Sequence, residues 1–188
     1  MGQKCQPYRD PANGCLSESG QCTPLLSPTV GLGEFCEVDS LCEGLDNCDK
    51  GLYCSFDTCL DLCDEPCPED QECRRVGGEV WVCISPCAPS GAQCETGQVC
   101  VYLGIDFGMA CLALAPEPGG LLMPCQSENE CLSGWCSTSL CDDYLCCTSY
   151  CNINDPQSCA AIPGTTCHPL IFAEPVPVEW AGVGTCLK

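Results

Sequence analysis

The chain has 188 residues, of which 26 are cysteine and only 12 are Phe, Trp or Tyr, so crosslinks stand where a single apolar core would otherwise form. Six Lys and Arg against 26 Asp and Glu give a net charge of −20, which excludes nucleic acid and anionic membrane surfaces as partners and favours basic protein surfaces or Ca²⁺. No stretch approaches the ~18 uninterrupted apolar residues of a membrane span, and a disordered chain has no use for so many cysteines.

Cysteine recurs about every seven residues, and its spacing predicts six modules in chain order. Residues 1–35 hold Cys5, Cys15 and Cys22 and read as a long-loop module. Residues 36–63 are tight: Cys36-x5-Cys42-x11-Cys54-x4-Cys59-x3-Cys63, with Cys48 as an extra inside the longest gap. Residues 63–86 return to the long-loop spacing, Cys63-x3-Cys67-x5-Cys73-x9-Cys83. There, β-forming arms flank Gly77-Gly78 and predict a hairpin over 74–82. Residues 87–118 repeat it as Cys87-x6-Cys94-x5-Cys100-x10-Cys111, with a second hairpin expected over 101–108. Residues 119–151 are tight again, Cys125-x5-Cys131-x4-Cys136-x4-Cys141-x4-Cys146-Cys147-x3-Cys151. Both tight modules are expected to be coil and short turns. Residues 151–188 are a stretched long-loop copy, Cys151-x7-Cys159-x7-Cys167-x18-Cys186.

The order long-loop, tight, long-loop thus occurs twice, in tandem halves 5–83 and 87–186. They hold 12 and 14 cysteines, both even, so each half is expected to close its own bridges. The fold class expected is small and disulfide-rich: an elongated tandem array of short β-hairpin and coil modules with little or no helix.

Up to 13 disulfides follow from the even cysteine count. The metal alternative lacks its spacings, since there is no C-x-C, no C-x2-C and a single histidine. Within a long-loop module the pairing expected is first-to-third and second-to-fourth, as Cys87–Cys100 and Cys94–Cys111, although four cysteines allow three pairings. Cys48 is expected to complete the first module by pairing with Cys5, Cys15 or Cys22. Such a chain needs an export signal. No apolar run precedes Cys5, so a removed leader is expected. Acylation at Gly2 is the weaker alternative, because Gln6 stands where Ser or Thr belongs.

The run from Pro124 through Cys125, Cys131, Ser133-Gly134-Trp135-Cys136, continuing to Cys141 and Cys146-Cys147, resembles the C-x5-C-x-(S/P)-G-x-C repeats of bacterial cysteine-rich secreted proteins and surface lipoproteins. Those repeats are similar to the amino-terminal cysteine-rich module of Dickkopf-type proteins. Cys36 to Cys42 and Gly51-Leu52-Tyr53-Cys54 match the pattern less closely. The resemblance implies an exported, non-catalytic surface or interaction protein and carries over no binding residue.

Few residues suggest chemistry. His168 is the only histidine, so a nucleophile–histidine device would have to use it; next to Pro169 it reads as an exposed loop residue. No phosphate loop, G-x-S-x-G or H-E-x-x-H occurs, and no enzyme is expected. Acids concentrate between Cys36 and Cys73, where Asp39, Asp46, Asp49, Asp61 and Asp64 are candidate Ca²⁺ ligands, though no D-x-D-x-D-G loop is present. No other cofactor is implied. Two apolar stretches break the polar pattern, 112–123 and 169–180. In the second, Leu170, Ile171, Phe172, Val176, Val178 and Trp180 either pack inward or form a contact surface.

The function expected is structural or adhesive: a secreted or cell-surface protein that binds other proteins or copies of itself. The alternatives are a protease inhibitor presenting the rigid loop 168–185 and a Ca²⁺-dependent adhesin. No Lys or Arg occurs in the 112 residues between Arg75 and Lys188, which suits a protease-resistant role.

Overall fold

A crosslink every few residues leaves room for hairpins and little else. In the computed structural model the described residues are 3–10, 15–24, 29–36, 47–49, 51–63, 66–77, 80–89, 93–105, 107–141, 144–173 and 176–188, with side chains from Thr29 onward except Gly77 and Glu179. Among them the only helical segments are two 3₁₀ turns, Glu128–Glu130 and Val178–Trp180. The chain divides into two units, Met1–Ser85 and Pro86–Lys188.

Among the described residues the first unit holds three antiparallel hairpins. They are β1 (Gln3–Asp10) with β2 (Cys15–Pro24), β3 (Leu52–Ser55) with β4 (Thr58–Asp61), and β5 (Glu72–Gly77) with β6 (Val80–Ile84). The second unit holds β7 (Gln98–Tyr102) with β8 (Met109–Ala113), β9 (Cys136–Ser137) with β10 (Cys146–Cys147), and a three-stranded sheet. In that sheet β13 (Val183–Leu187) lies between β11 (Tyr150–Asn152) and β12 (Thr166–Pro169). The hairpin expected over 74–82 is β5–β6, with a register shift between Arg75 and Gly77. The tight modules differ from expectation: each carries a short antiparallel ladder, β3–β4 and β9–β10.

One disulfide scheme runs through every module whose side chains are described. Two cysteines face each other in register across each ladder: Cys54 and Cys59, Cys73 and Cys83, Cys100 and Cys111, Cys136 and Cys147, Cys167 and Cys186. The facing pair is not bonded to itself. Each member reaches back to an upstream cysteine, so the coil ahead of the hairpin is pinned at two points. The bridges are Cys36–Cys54 with Cys48–Cys59, Cys63–Cys73 with Cys67–Cys83, and Cys87–Cys100 with Cys94–Cys111. The same scheme continues in Cys125–Cys136 with Cys131–Cys147 and Cys151–Cys167 with Cys159–Cys186. Cys141–Cys146 is an addition within the β9–β10 loop. Pairing is first-to-third and second-to-fourth throughout, in tight and long-loop spacings alike. The two spacing patterns are therefore one motif with loops of different length.

The pairing of Cys48 corrects the expectation that it serves the first module. It bonds to Cys59, and the backbone explains why. Val30 N–H donates to Asn47 O, and Asp49 N–H donates to Val30 O. These bonds hold Cys48 in a parallel bridge beside Val30. In the second unit Gly119 N–H donates to Glu130 O and Leu132 N–H donates to Gly119 O, which fixes Cys131 in the same way. Cys48 is thus the counterpart of Cys131, and Cys42 is the extra residue of its module. Cys42 and the side chains of Cys5, Cys15 and Cys22 lie outside the described residues. On the backbone Cys5 stands opposite Cys22, the position that third and fourth cysteines occupy elsewhere. That register does not match a reading of Cys5, Cys15 and Cys22 as the first three cysteines of a module.

The repetition extends to single residues. Gly33 N–H donates to Cys59 O as Leu122 N–H donates to Cys147 O. Both residues sit in the left-handed region, Gly33 at φ 74° and Leu122 at φ 64°. Glycine adopts it freely, whereas a leucine there is strained.

All fourteen cysteines of Pro86–Lys188 are paired within that unit by seven bridges, so none is left to reach the first. Cysteines also make up most of the buried clusters. The cluster around Met109, Trp180 and Val183 carries larger carbon side chains, and it positions the surface described next.

Candidate interaction surface

The loop between Cys167 and Cys186 is fixed by aromatic packing as well as by its bridges. Trp180 is buried, and its Nε1–H donates to Cys87 O at 2.8 Å. Its ring lies where a Cβ on Gly108 would stand, 2.1 Å from that atom. Only glycine at 108 admits the indole. Phe172 stacks on Trp180 at 5.2 Å, and Tyr102 meets the edge of Phe172 at 5.2 Å. Trp135 follows at 5.6 Å from Tyr102, and Tyr150 at 5.9 Å from Trp135. Five rings from the 87–118, 119–151 and 151–188 modules thus form one row, and such contacts add to the stabilisation from area alone.

Tyr150 locks that row. Its hydroxyl accepts from Tyr102 N–H at 2.8 Å and donates to Gly134 O at 2.8 Å. Burial pushes its phenol well above the ordinary tyrosine range, against the opposing effect of the Tyr102 N–H bond.

The stretch 169–180 divides into two faces. Leu170, Phe172 and Val176 pack on the cluster with Trp180. Ile171 and Val178 point outward, 68% and 89% exposed. The backbone around Ile171 is held on both sides: Leu170 N–H donates to Val183 O at 3.1 Å and Ala173 N–H to Ile105 O at 3.1 Å. The Tyr102 hydroxyl donates to Ile171 O itself. Ile105, at the neighbouring hairpin tip, is 48% exposed. Ile105 and Ile171 are therefore apolar side chains presented on a braced backbone, and Val178 is presented from the 3₁₀ turn in which its carbonyl accepts from Ala181 N–H at 3.2 Å. Of the six residues proposed from sequence as a contact, four face inward and two outward. Nothing in the local sequence of Ile105 marks it as an exposed apolar side chain.

A separate groove of about 420 Å³ runs past Leu122, Leu140, Tyr144, Ile162, Pro163 and Lys188.

The other candidates are placed as follows. His168 is an exposed residue of β12, with its Nε2 3.0 Å from Thr166 Oγ1. Of the acidic candidates, Asp39, Asp46 and Asp64 lie outside the described residues; Asp49 is exposed and Asp61 half-buried. Among the described residues, the metal-ligating side chains that come within 4.8 Å of one another in threes are all cysteines. Each of those trios consists of sulfurs already bonded in two neighbouring bridges, which leaves no thiolate for a metal.

Comparison with protein families, curated proteins and solved structures returns no match.

Proposed function

We propose that this chain is a non-catalytic extracellular interaction protein, structural or adhesive, whose contact is made by Ile105, Ile171 and Val178. The observation that carries the reading is apolar side chains held outward on a backbone fixed by disulfides, hydrogen bonds and a row of rings. Solvent-facing isoleucine and valine on a rigid frame bind with little ordering entropy to lose. The disulfide density suits an oxidising compartment, and no helix among the described residues is long and apolar enough to cross a membrane. Net charge favours a basic partner surface.

The fixed backbone on either side of Ile171 also favours a second reading, a protease inhibitor that presents Ile171 to an enzyme cutting after apolar residues. The double variant Ile171→Asp, Val178→Asp separates the two. On the first reading it abolishes capture of surface partners or self-association, seen by crosslinking on the native surface, and leaves melting unchanged. Stoichiometric inhibition of an elastase-like protease by the parent chain, lost in the variant, would establish the second instead.

A further inference from the structure

Among the described bridges Cys63–Cys73 is the only one with neither residue buried: Cys73 is exposed and Cys63 half-buried. Every other described bridge has at least one buried member. In the sequence Glu72 precedes Cys73. Arg74 and Arg75 follow it directly, two of the six cations in a chain of net charge −20. Arg74 is paired with the Glu72 carboxylate, and Arg75 is exposed. On the inner side, Cys63 Sγ lies 3.6 Å from Cys67 Sγ and 3.8 Å from Cys83 Sγ, the two sulfurs of the next bridge.

We infer that Cys63–Cys73 is a thiol-exchange site that takes a small thiol bearing carboxylates onto Cys73. The chemistry balances as follows. The incoming thiolate attacks Cys73 Sγ, the accessible sulfur, and forms a mixed disulfide as the Sγ–Sγ bond to Cys63 breaks. Cys63 leaves as a thiolate and takes a proton from water. A second small thiolate then attacks the sulfur of the first small thiol in the mixed disulfide; the small-molecule disulfide is released, and Cys73 leaves as a thiolate that takes a proton from water. Two small thiols are oxidised and one protein bridge is reduced. Arg75 stands two positions along β5 from Cys73 and so on the same face of the strand, where its charge attracts the carboxylates and favours the Cys73 thiolate. Once free, Cys63 is within reach of the Cys67–Cys83 bond. Attack on Cys67 displaces Cys83 as the thiolate, and attack on Cys83 displaces Cys67, so the free thiol passes inward without further reductant.

The test uses the full oxidised chain, substoichiometric reduced glutathione, acid quenching, alkylation and peptide mapping. The expected first product carries glutathione on Cys73 and one alkylated thiol, on Cys63 or, after passage inward, on Cys83 or Cys67. The variant Arg74→Gln, Arg75→Gln keeps every cysteine. It should slow that first step at least several-fold with glutathione and leave the rate with neutral 2-mercaptoethanol unchanged. First reaction at a cysteine outside 63–83 would overturn the assignment. So would equal slowing, or none, with both thiols.

Discussion

Tyr150 shows how one hydroxyl can hold several modules together. It serves as acceptor for Tyr102 N–H and donor to Gly134 O, each at 2.8 Å, so Tyr150→Phe removes two hydrogen bonds to backbone at once. That variant should lose about 2–3 kcal/mol, measured by urea unfolding with all bridges intact. The same residue sets an alkaline limit. Its folded phenol keeps its proton to a higher pH than the unfolded one, whose value is about 10. The stabilisation is therefore fully present below about pH 10. It falls as pH rises further, by up to ~1.4 kcal/mol per unit, because only the unfolded chain releases the proton. Unfolding free energies from pH 8 to 11 should show a steeper alkaline decline in the parent chain than in Tyr150→Phe. Parallel declines would mean that Tyr150 ionises normally in the fold.

At the scale of elements, what could be read from sequence depended on strand length and turn chemistry. The β5–β6 hairpin announced itself because Val76, Val80, Trp81 and Val82 flank a Gly-Gly pair. The β9–β10 ladder did not, because strands of two residues have no periodicity to detect. The one-motif disulfide scheme was half visible: the first-to-third, second-to-fourth order was the expectation for the long-loop copies, one of the three pairings that four cysteines allow. Spacing alone could not decide between Cys42 and Cys48, and the decision rests on Val30, a residue twelve positions or more from either. The 169–180 stretch was visible as apolar, but its proline-rich sequence has no period to say that Phe172 and Trp180 turn in while Ile171 and Val178 turn out. The scheme makes a prediction about proteolysis. Arg75 sits in β5 opposite Trp81, and a protease cleft needs that ladder opened. The oxidised protein should therefore survive prolonged trypsin across 51–188. Where the Arg75–Val76 bond is cut, only Cys67–Cys83 spans the break, since every other cysteine after Arg75 pairs within the second unit. A cut chain should run as one species without reductant and as two with it. Separation without reductant would contradict the Cys67–Cys83 bridge.

For the whole molecule, the decisive feature is closure of the bridge set. Every cysteine of Pro86–Lys188 finds its partner inside that unit. The row of rings from Tyr150 to Trp180 lies wholly within it as well. Bridges of this kind contribute about 2–4 kcal/mol each, mainly by restricting the unfolded chain. That restriction acts on the loops each bridge closes, and the longest here is Cys159–Cys186, at a sequence separation of 27. No stabilising loop in the second unit thus passes through the first. Residues 86–188 produced alone should oxidise to a single species with seven bridges. Its mass should lie fourteen hydrogens below that of the reduced form, and it should resist alkylation without reductant. Trp180 fluorescence should remain that of a buried indole, because its partner Cys87 O and its stacking partner Phe172 are both in the fragment. Persistent free thiols, or a mixture of pairings on peptide mapping, would show that the first unit guides closure of the second and that the two are not independent folding units.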